Sequence, residues 1–200
     1  PLYTTEADFR TDFVRLFGNL EWRVKPSVVV NAGAMAEDSS VTGDTLSPRL
    51  MVNWHLAPGH TLRAGVSRSY RPPSTFEKFV NMKYVWTGFL LRQHMLARGD
   101  VVPERLVTDE LGYLGDFPQW GASLDVRAYR EKFSGLISQK NATYPRDYVN
   151  DEDFAIQGLE YQFKWRPWAG AQFILNQAYT DIGASLAAGE NTTAFAAPKR

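Results

Sequence analysis

The chain has 200 residues, with 22 basic and 22 acidic side chains, a formal charge of zero, and no cysteine. That balance gives no basis for binding nucleic acid or an anionic surface through bulk charge, and disulfides, thiol nucleophiles and thiolate metal sites are excluded. No apolar run reaches the ~18 residues of a membrane-spanning helix, a constraint that does not apply to β-strands, which need only alternate apolar positions.

Period-two alternation recurs along the chain and predicts about eight long strands. In the first, Val14, Leu16, Leu20, Trp22 and Val24 share one face, with Arg15, Asn19, Glu21 and Arg23 on the other. A turn at Lys25-Pro26-Ser27 leads to a second stripe, Val28, Val30, Ala32 and Ala34, and then to a polar loop over 37–45. The third strand sets Leu50, Val52, Trp54 and Leu56 against Arg49, Asn53 and His55. Pro58-Gly59 is a tight turn, because proline fixes φ and glycine accepts a positive φ. The fourth strand alternates Leu62, Ala64 and Val66 with Arg63, Ser67 and Ser69. A long connection over 71–104 follows, with a short helix expected near Phe76 to Met82.

Strand five carries Leu111 and Tyr113 opposite Thr108 and Glu110, and strand six carries Leu124, Val126 and Ala128 opposite Asp125, Arg127 and Tyr129. A polar loop over 139–153 precedes strand seven, where Leu159, Tyr161, Phe163 and Trp165 oppose Gly158, Glu160, Gln162 and Lys164. Strand eight sets Phe173, Leu175 and Tyr179 against Gln172, Asn176 and Thr180, with Gln177 out of place on the apolar side. The stretch from Gly183 to Ala197 is predicted to be another long loop, giving a last loop region over 182–197.

The connections fall into two kinds. Trp22, Trp54, Trp120, Trp165 and Trp168 all lie beside the short proline-containing turns, and the other strand ends carry the long polar loops. Amphipathic rings collected at one rim are what a membrane interface selects. Ala155 to Trp165 covers about 33 Å, or roughly 23 Å of bilayer at a 45° tilt, close to the apolar band of an outer-membrane barrel. The soluble alternative is a β-sandwich with the apolar stripe against a second sheet. In a barrel the charged face, with Arg15, Glu21, Arg23, Arg49, Arg63, Glu110, Asp125, Arg127, Glu160 and Lys164, lines a lumen that is wet or plugged.

Three runs are more specific: Ser67-Arg68-Ser69-Tyr70-Arg71-Pro72-Pro73 followed by Glu77; Pro103-Glu104-Arg105; and Asp109-Glu110-Leu111-Gly112-Tyr113. With Gly158-Leu159-Glu160-Tyr161 and Trp165-Arg166-Pro167, their order and spacing resemble the barrel of TonB-dependent outer-membrane receptors. Val101-Val102 departs from the lead-in common there. The resemblance implies an all-β fold, an antiparallel transmembrane segment of about eight strands within a barrel of about 22, with a plug in its lumen. It makes residues 1–200 a partial barrel domain, without plug, TonB box or final strands, in the bacterial outer membrane. The expected partners are the TonB complex acting through that plug, the plug itself, outer-membrane lipid and an imported solute. The solute is expected to be a ferric siderophore or similar iron chelate, with no resident cofactor. A passive porin-type channel and a small structural or adhesion barrel are the alternatives, the last requiring strand one to pair with strand eight. Eight strands alone leave two unpaired edges, and such a piece is expected to aggregate or to curl into a non-native closure.

Extracellular loops carry the ligand in that family, so Tyr84, Trp86, Arg92 and His94 are the ligand candidates, beside Phe79 and Phe89. Arginine pairs with anionic groups and aromatic faces stack on rings. Arg68, Arg71, Pro72, Pro73, Glu77, Glu104 and Glu110 are assigned to strand-end structure. Asp147, Asp151, Glu152 and Asp153 are a possible calcium loop, with a solvated acidic loop preferred, so no metal site is assigned. His55, His60 and His94 have no zinc spacing, and no nucleophile elbow or phosphate loop is present, so no catalytic residue is assigned. The sequons at Asn141 and Asn191 carry little meaning in a bacterial barrel.

Overall fold

The structure is a computed structural model that describes residues 2–3, 10–140 and 144–185. After a two-residue strand β1 (Leu2–Tyr3), the long strands are β2 (Phe13–Lys25), β3 (Val28–Ser39), β4 (Gly43–Ala57) and β5 (His60–Arg71). The connection after β5 holds a one-turn helix α1 (Thr75–Phe79) and a hairpin, β6 (Asn81–Trp86) and β7 (Phe89–Leu96). Then come β8 (Glu104–Phe117), β9 (Ala122–Lys140), β10 (Asp147–Trp165) and β11 (Phe173–Ser185). Eight of these form one antiparallel sheet in the order β11-β10-β9-β8-β5-β4-β3-β2, and β1-β6-β7 form a second.

Cross-strand register confirms two chemically distinct faces. One row runs Trp22, Val30, Val52, Ala64, Leu111, Ala128, Leu159 and Tyr179, apolar or aromatic throughout. The adjacent row on the other face runs Arg23, Val29, Asn53, Arg63, Gly112, Arg127, Glu160 and Ala178. A sheet burying one face against a soluble core would cover the apolar row, but Leu16, Leu20, Leu111 and Tyr179 are all more than half exposed. Among the described residues no second sheet lies against that face, so the sandwich alternative fails. β2 and β11 are the sheet's two edges and do not pair with each other, so the closure required of a stand-alone eight-stranded barrel is absent among the described residues.

The rows also reveal the tilt. On β2 the apolar stripe reaches its tryptophan at Trp22, but on β11 the same row meets Tyr179, and the stripe continues six residues further to Phe173. Six residues, about 20 Å, gained over seven strand steps, about 34 Å, is a tilt of roughly 30°, near the range of membrane barrels. The strands are inclined to the apolar band they cross.

The tryptophan end is an aromatic rim. Phe117 stacks on Trp120 at 5.6 Å, Trp165 and Trp168 flank Phe173, and the Trp165 indole donates to the Trp120 carbonyl at 3.1 Å. His60 bonds the Tyr113 hydroxyl at 2.7 Å. The misplaced Gln177 is accommodated by the Tyr161 hydroxyl, which donates to its carbonyl oxygen at 2.6 Å. An amide on an apolar face is tolerable once its acceptor is satisfied.

At the opposite end the strands outrun the sequence prediction. β3 and β4 pair out to Ser39 and Gly43, so the loop expected over 37–45 shrinks to a three-residue turn. β9 and β10 likewise extend to Lys140 and from Asp147, inside the loop expected over 139–153, and β11 runs to Ser185. Polarity was the misleading signal: above the apolar band both faces of a strand meet water, so the alternation ends before the strand does. The rest of the last expected loop, beyond residue 185, and both sequons lie outside the described residues or at their margin.

Candidate functional site

The polar face is a wall of paired charges. Arg15 bonds Glu37, Arg63 reaches Asp125 at 3.1 Å, and Arg127 bridges Glu110 at 3.0 Å and Glu160 at 3.7 Å. Beside them is an open groove of about 480 Å³ lined in part by Arg63, Asp125, Arg127, Glu160 and Asn176. Gly158 is required here because a Cβ would sit 2.6 Å from the Tyr129 ring laid across it. Glu110, grouped from sequence with the strand ends, belongs to this mid-wall network instead.

Above the wall, the β5–β8 connection is folded into place by a latch. Pro72 and Pro73 remove two backbone donors and end β5 directly after Arg71. Arg71 then donates to Glu104 on β8 through Nε and a terminal nitrogen, both at 2.5 Å, and to Glu77 at 3.1 and 3.3 Å. Those hydrogen bonds, to Glu104 first and Glu77 second, hold the guanidinium pKa above its ordinary value. Burial pushes the Glu77 carboxyl up, but hydrogen bonds from Arg71 and Ser74 outweigh it and hold the carboxyl below its usual value. Ser74 and Glu77 also form a reciprocal capping box that starts α1. Lys78 donates to the Val41 carbonyl in the β3–β4 turn, and Glu104 accepts from the Ile137 N–H at 2.8 Å.

Further along, Asn150 of β10 acts as a clip, accepting from the Val102 N–H at 2.8 Å and donating to the Val102 carbonyl at 3.0 Å. Asn150 shares the polar side of β10 with Tyr148, whose ring meets Phe76 of α1 edge-on. Burial, then the Glu77 charge, raises the Tyr148 pKa. Val80, Met95 and Val101 are buried. The connection therefore lies over the polar side of the β9–β10 extension.

The hairpin turns through Thr87 at φ 47° and Gly88 at φ 85°, a positive-φ pair that suits a two-residue hairpin turn. Its β7 strand carries segment 144–146: the Arg146 N–H donates to the His94 carbonyl and the Leu96 N–H to the Arg146 carbonyl, both at 3.0 Å. A cation–aromatic cluster results. His94 lies 5.3 Å from both the Tyr84 and Tyr144 rings, Arg92 sits 3.3 Å over Tyr144, and Arg146 is 4.9 Å from the same ring. The His94 Nδ1 and Arg146 Nε are buried and have no hydrogen-bond partner among the described residues.

The sequence candidates separate accordingly. Tyr84, Arg92 and His94 converge, while Trp86 stands at the hairpin tip, 61 % exposed, with Phe89 beside it. Arg71, Glu77 and Glu104 meet in the latch, but Arg68 lies on the opposite, apolar-side face and has no carboxylate partner among the described residues. Sequence reasoning missed Tyr144, Arg146 and Asn150, which fall in a loop dominated by acidic residues. The Tyr-Pro-Arg run, aromatic and cation together, was the available signal. The acidic residues considered for calcium have other partners. Asp147 accepts from the Tyr148 N–H, Asp151 from the Ser138 hydroxyl and Asp153 from the Gly135 N–H. A bulged strand spreads these carboxylates over two faces, and no three metal-capable side chains converge among the described residues.

The family model for the TonB-dependent receptor-like β-barrel matches residues 2–200. The chain belongs to the TonB-dependent receptor barrel family. It is similar in fold to the siderophore receptor PirA of Pseudomonas aeruginosa, with a TM-score of 0.71 at 19% identity over 86% of this chain and 32% of that one. A mutant of the ferric enterobactin receptor PfeA of the same organism, in complex with enterobactin, aligns at a TM-score of 0.70 and 18% identity, over 85% and 27%. The FrpB iron transporter of Neisseria meningitidis aligns at 0.66 and 11%, over 87% and 26%. This receptor-barrel chain thus spans about a third or less of each of those structures. No curated protein matches it by sequence. The family is one of outer-membrane receptors and transporters rather than enzymes, and the eight-stranded sheet is a segment of such a barrel.

Proposed function

We propose that residues 1–200 are part of the barrel domain of a receptor that binds a ferric siderophore or similar iron chelate and imports it. In this reading the tryptophan rim is periplasmic and the hairpin end extracellular. The charged wall faces a plug through which the TonB complex supplies energy, with plug and remaining strands outside this chain. The observation that carries the reading is the cluster of Tyr84, Arg92, His94, Tyr144 and Arg146 at the hairpin end. Its two guanidinium groups offer charge to an anionic chelate, its rings offer stacking faces, and two unpartnered buried nitrogens offer donor or acceptor capacity. The siderophore receptors of similar fold support the ligand class.

In the full-length receptor, the double variant Arg92→Ala/Tyr144→Ala is expected to weaken binding of the cognate ferric chelate about tenfold or more, equivalent to about 1.4 kcal/mol or more. Growth of a deletion strain on a panel of ferric siderophores identifies that chelate. Normal growth and uptake on every chelate tested would overturn the siderophore reading, and unchanged affinity in the double variant would remove this cluster from the site.

A further inference from the structure

The hairpin face that carries the cation–aromatic cluster continues past it to the hairpin tip. Register pairs Tyr84 with Arg92 and Trp86 with Phe89, and Tyr84 and Trp86 are two residues apart on one strand, so all four share a face. Leu91 is the extra residue of the bulge between those two pairs. Trp86, Phe89 and Leu91 are all more than half exposed. An apolar surface of this kind, bordered by polar groups, marks a binding site.

The two ends of this face differ in charge. At one end Arg92 and Arg146 lie against the Tyr144 ring, and Asp147, the acid next in sequence, pairs with Arg98 at 3.7 Å instead. The cluster therefore keeps an excess of positive charge. At the other end the run Trp86-Thr87-Gly88-Phe89-Leu90-Leu91 has no charged residue. Trp86 stands two residues, about 7 Å, beyond Tyr84 along β6, a span that about six carbons of an extended alkyl chain cover. Contact with the bilayer does not account for the tip. The connection lies over the polar side of the β9–β10 extension, whereas the apolar band is on the other face of the wall.

We propose that the ligand is an amphiphile, an anionic ferric chelate bearing an acyl chain, with its head at the cation–aromatic cluster and its tail along Trp86, Phe89 and Leu91. The proposal rests on the import reading and narrows its substrate class. The guanidinium groups complement the charge of the head, and the tail covers apolar side chains that otherwise meet water. Indole and phenyl rings suit the tail because each offers a large apolar area from a stiff side chain. Full burial of one methylene strengthens binding about fourfold, so partial cover of a ten-carbon chain on this open face is expected to give at least tenfold.

The test uses the full-length receptor in nanodiscs, with empty nanodiscs as the partition control. The probes are radio-iron complexes of citrate-bis-hydroxamate and catecholate chelators, each N-acylated with acetyl, hexanoyl or decanoyl. In at least one series, affinity is expected to rise at least tenfold from acetyl to decanoyl. Trp86→Ser/Phe89→Ser is expected to cut that gain to under threefold while leaving the acetyl member within threefold of wild type. Trp86→Leu/Phe89→Leu, which keeps the tip apolar, should preserve the gain. A water-soluble maleimide should label Phe89→Cys in the free receptor, and the decanoyl member, but not the acetyl member, should protect it. No chain-length gain in either series, absent binding included, overturns the proposal, as does a gain kept in the serine variant. An unreactive Phe89→Cys would place another loop of the receptor over the tip, and dimerisation abolished by the serine variant would assign the tip to a second copy; either result also overturns it. Failure of this proposal alone leaves uptake of short-chain chelates intact, whereas failure of the import reading shows as no uptake of any chelate.

Discussion

The wall and the hairpin end are held by different physics. In the wall the positions answer to one period-two rule, with Gln177 the exception described above, and a side chain's environment follows from its parity in the strand. At the hairpin end the contacts join segments far apart in sequence: Arg71 to Glu104, Lys78 to Val41, Val102 to Asn150, and His94 to Tyr144. Even β1 contributes there, pairing Leu2 with Tyr84 and Tyr3 with Lys83. The difference is between a repeated local rule and a small number of specific long-range ties. The first tolerates substitutions that respect the face. The second gives way where one tie is cut.

The sharpest test of the wall exchanges faces at neighbouring positions in the full-length receptor. Leu159→Arg puts a charge on the apolar face and is expected to cost about 2–4 kcal/mol of barrel stability, while Gln162→Arg on the polar face should cost well under 1 kcal/mol. Urea unfolding of the receptor refolded into lipid vesicles measures both. Equal costs would break the two-face assignment.

Cutting a tie should have a smaller and more local effect. Arg71→Ala leaves Glu77 and Glu104, both mostly shielded, without their cation. A half-exposed arginine with two partners is expected to contribute about 1–2 kcal/mol. Hydrogen exchange should speed up about tenfold or more over residues 75–96 and stay unchanged in the wall. A uniform change across both regions would mean that the latch belongs to the barrel's own cooperative unit.

The smallest effect is set by pH. Glu77 has its folded pKa below the ordinary value of 4.5, so its contribution is present above that value and lost as pH falls through the lower folded pKa. Acidification below about pH 4 is therefore expected to loosen the α1 region before the wall. Glu77→Gln should remove most of that pH dependence. Protection over residues 75–80 that stays flat down to pH 3 in the unmodified receptor would contradict the latch chemistry.

Much of this was legible in the sequence, and the limits have identifiable causes. The strand faces, the tryptophan rim and the Arg-Pro-Pro strand end were readable because alternation, interface preference and proline's missing donor are local properties. The ends of β3, β4, β9 and β10 were not, because above the band both faces meet water and polarity stops distinguishing strand from loop. Tyr84, Arg92 and His94 were accessible as candidates by residue type. Tyr144 and Arg146 were not joined to them, because about 50 residues separate the two segments and only the docking of 144–146 on β7 brings them together.

By itself, then, the sequence determined a set of long amphipathic strands, the chemistry of each face and which end carries the aromatic rim. Those follow from the side-chain period of an extended chain and from where amphipathic rings are stable. Only the tertiary structure decided that the polar wall is cross-linked through Arg127 and that the β5–β8 connection folds over the polar side. Each of these depends on strand register and long-range docking, which set neighbours across strands rather than along them.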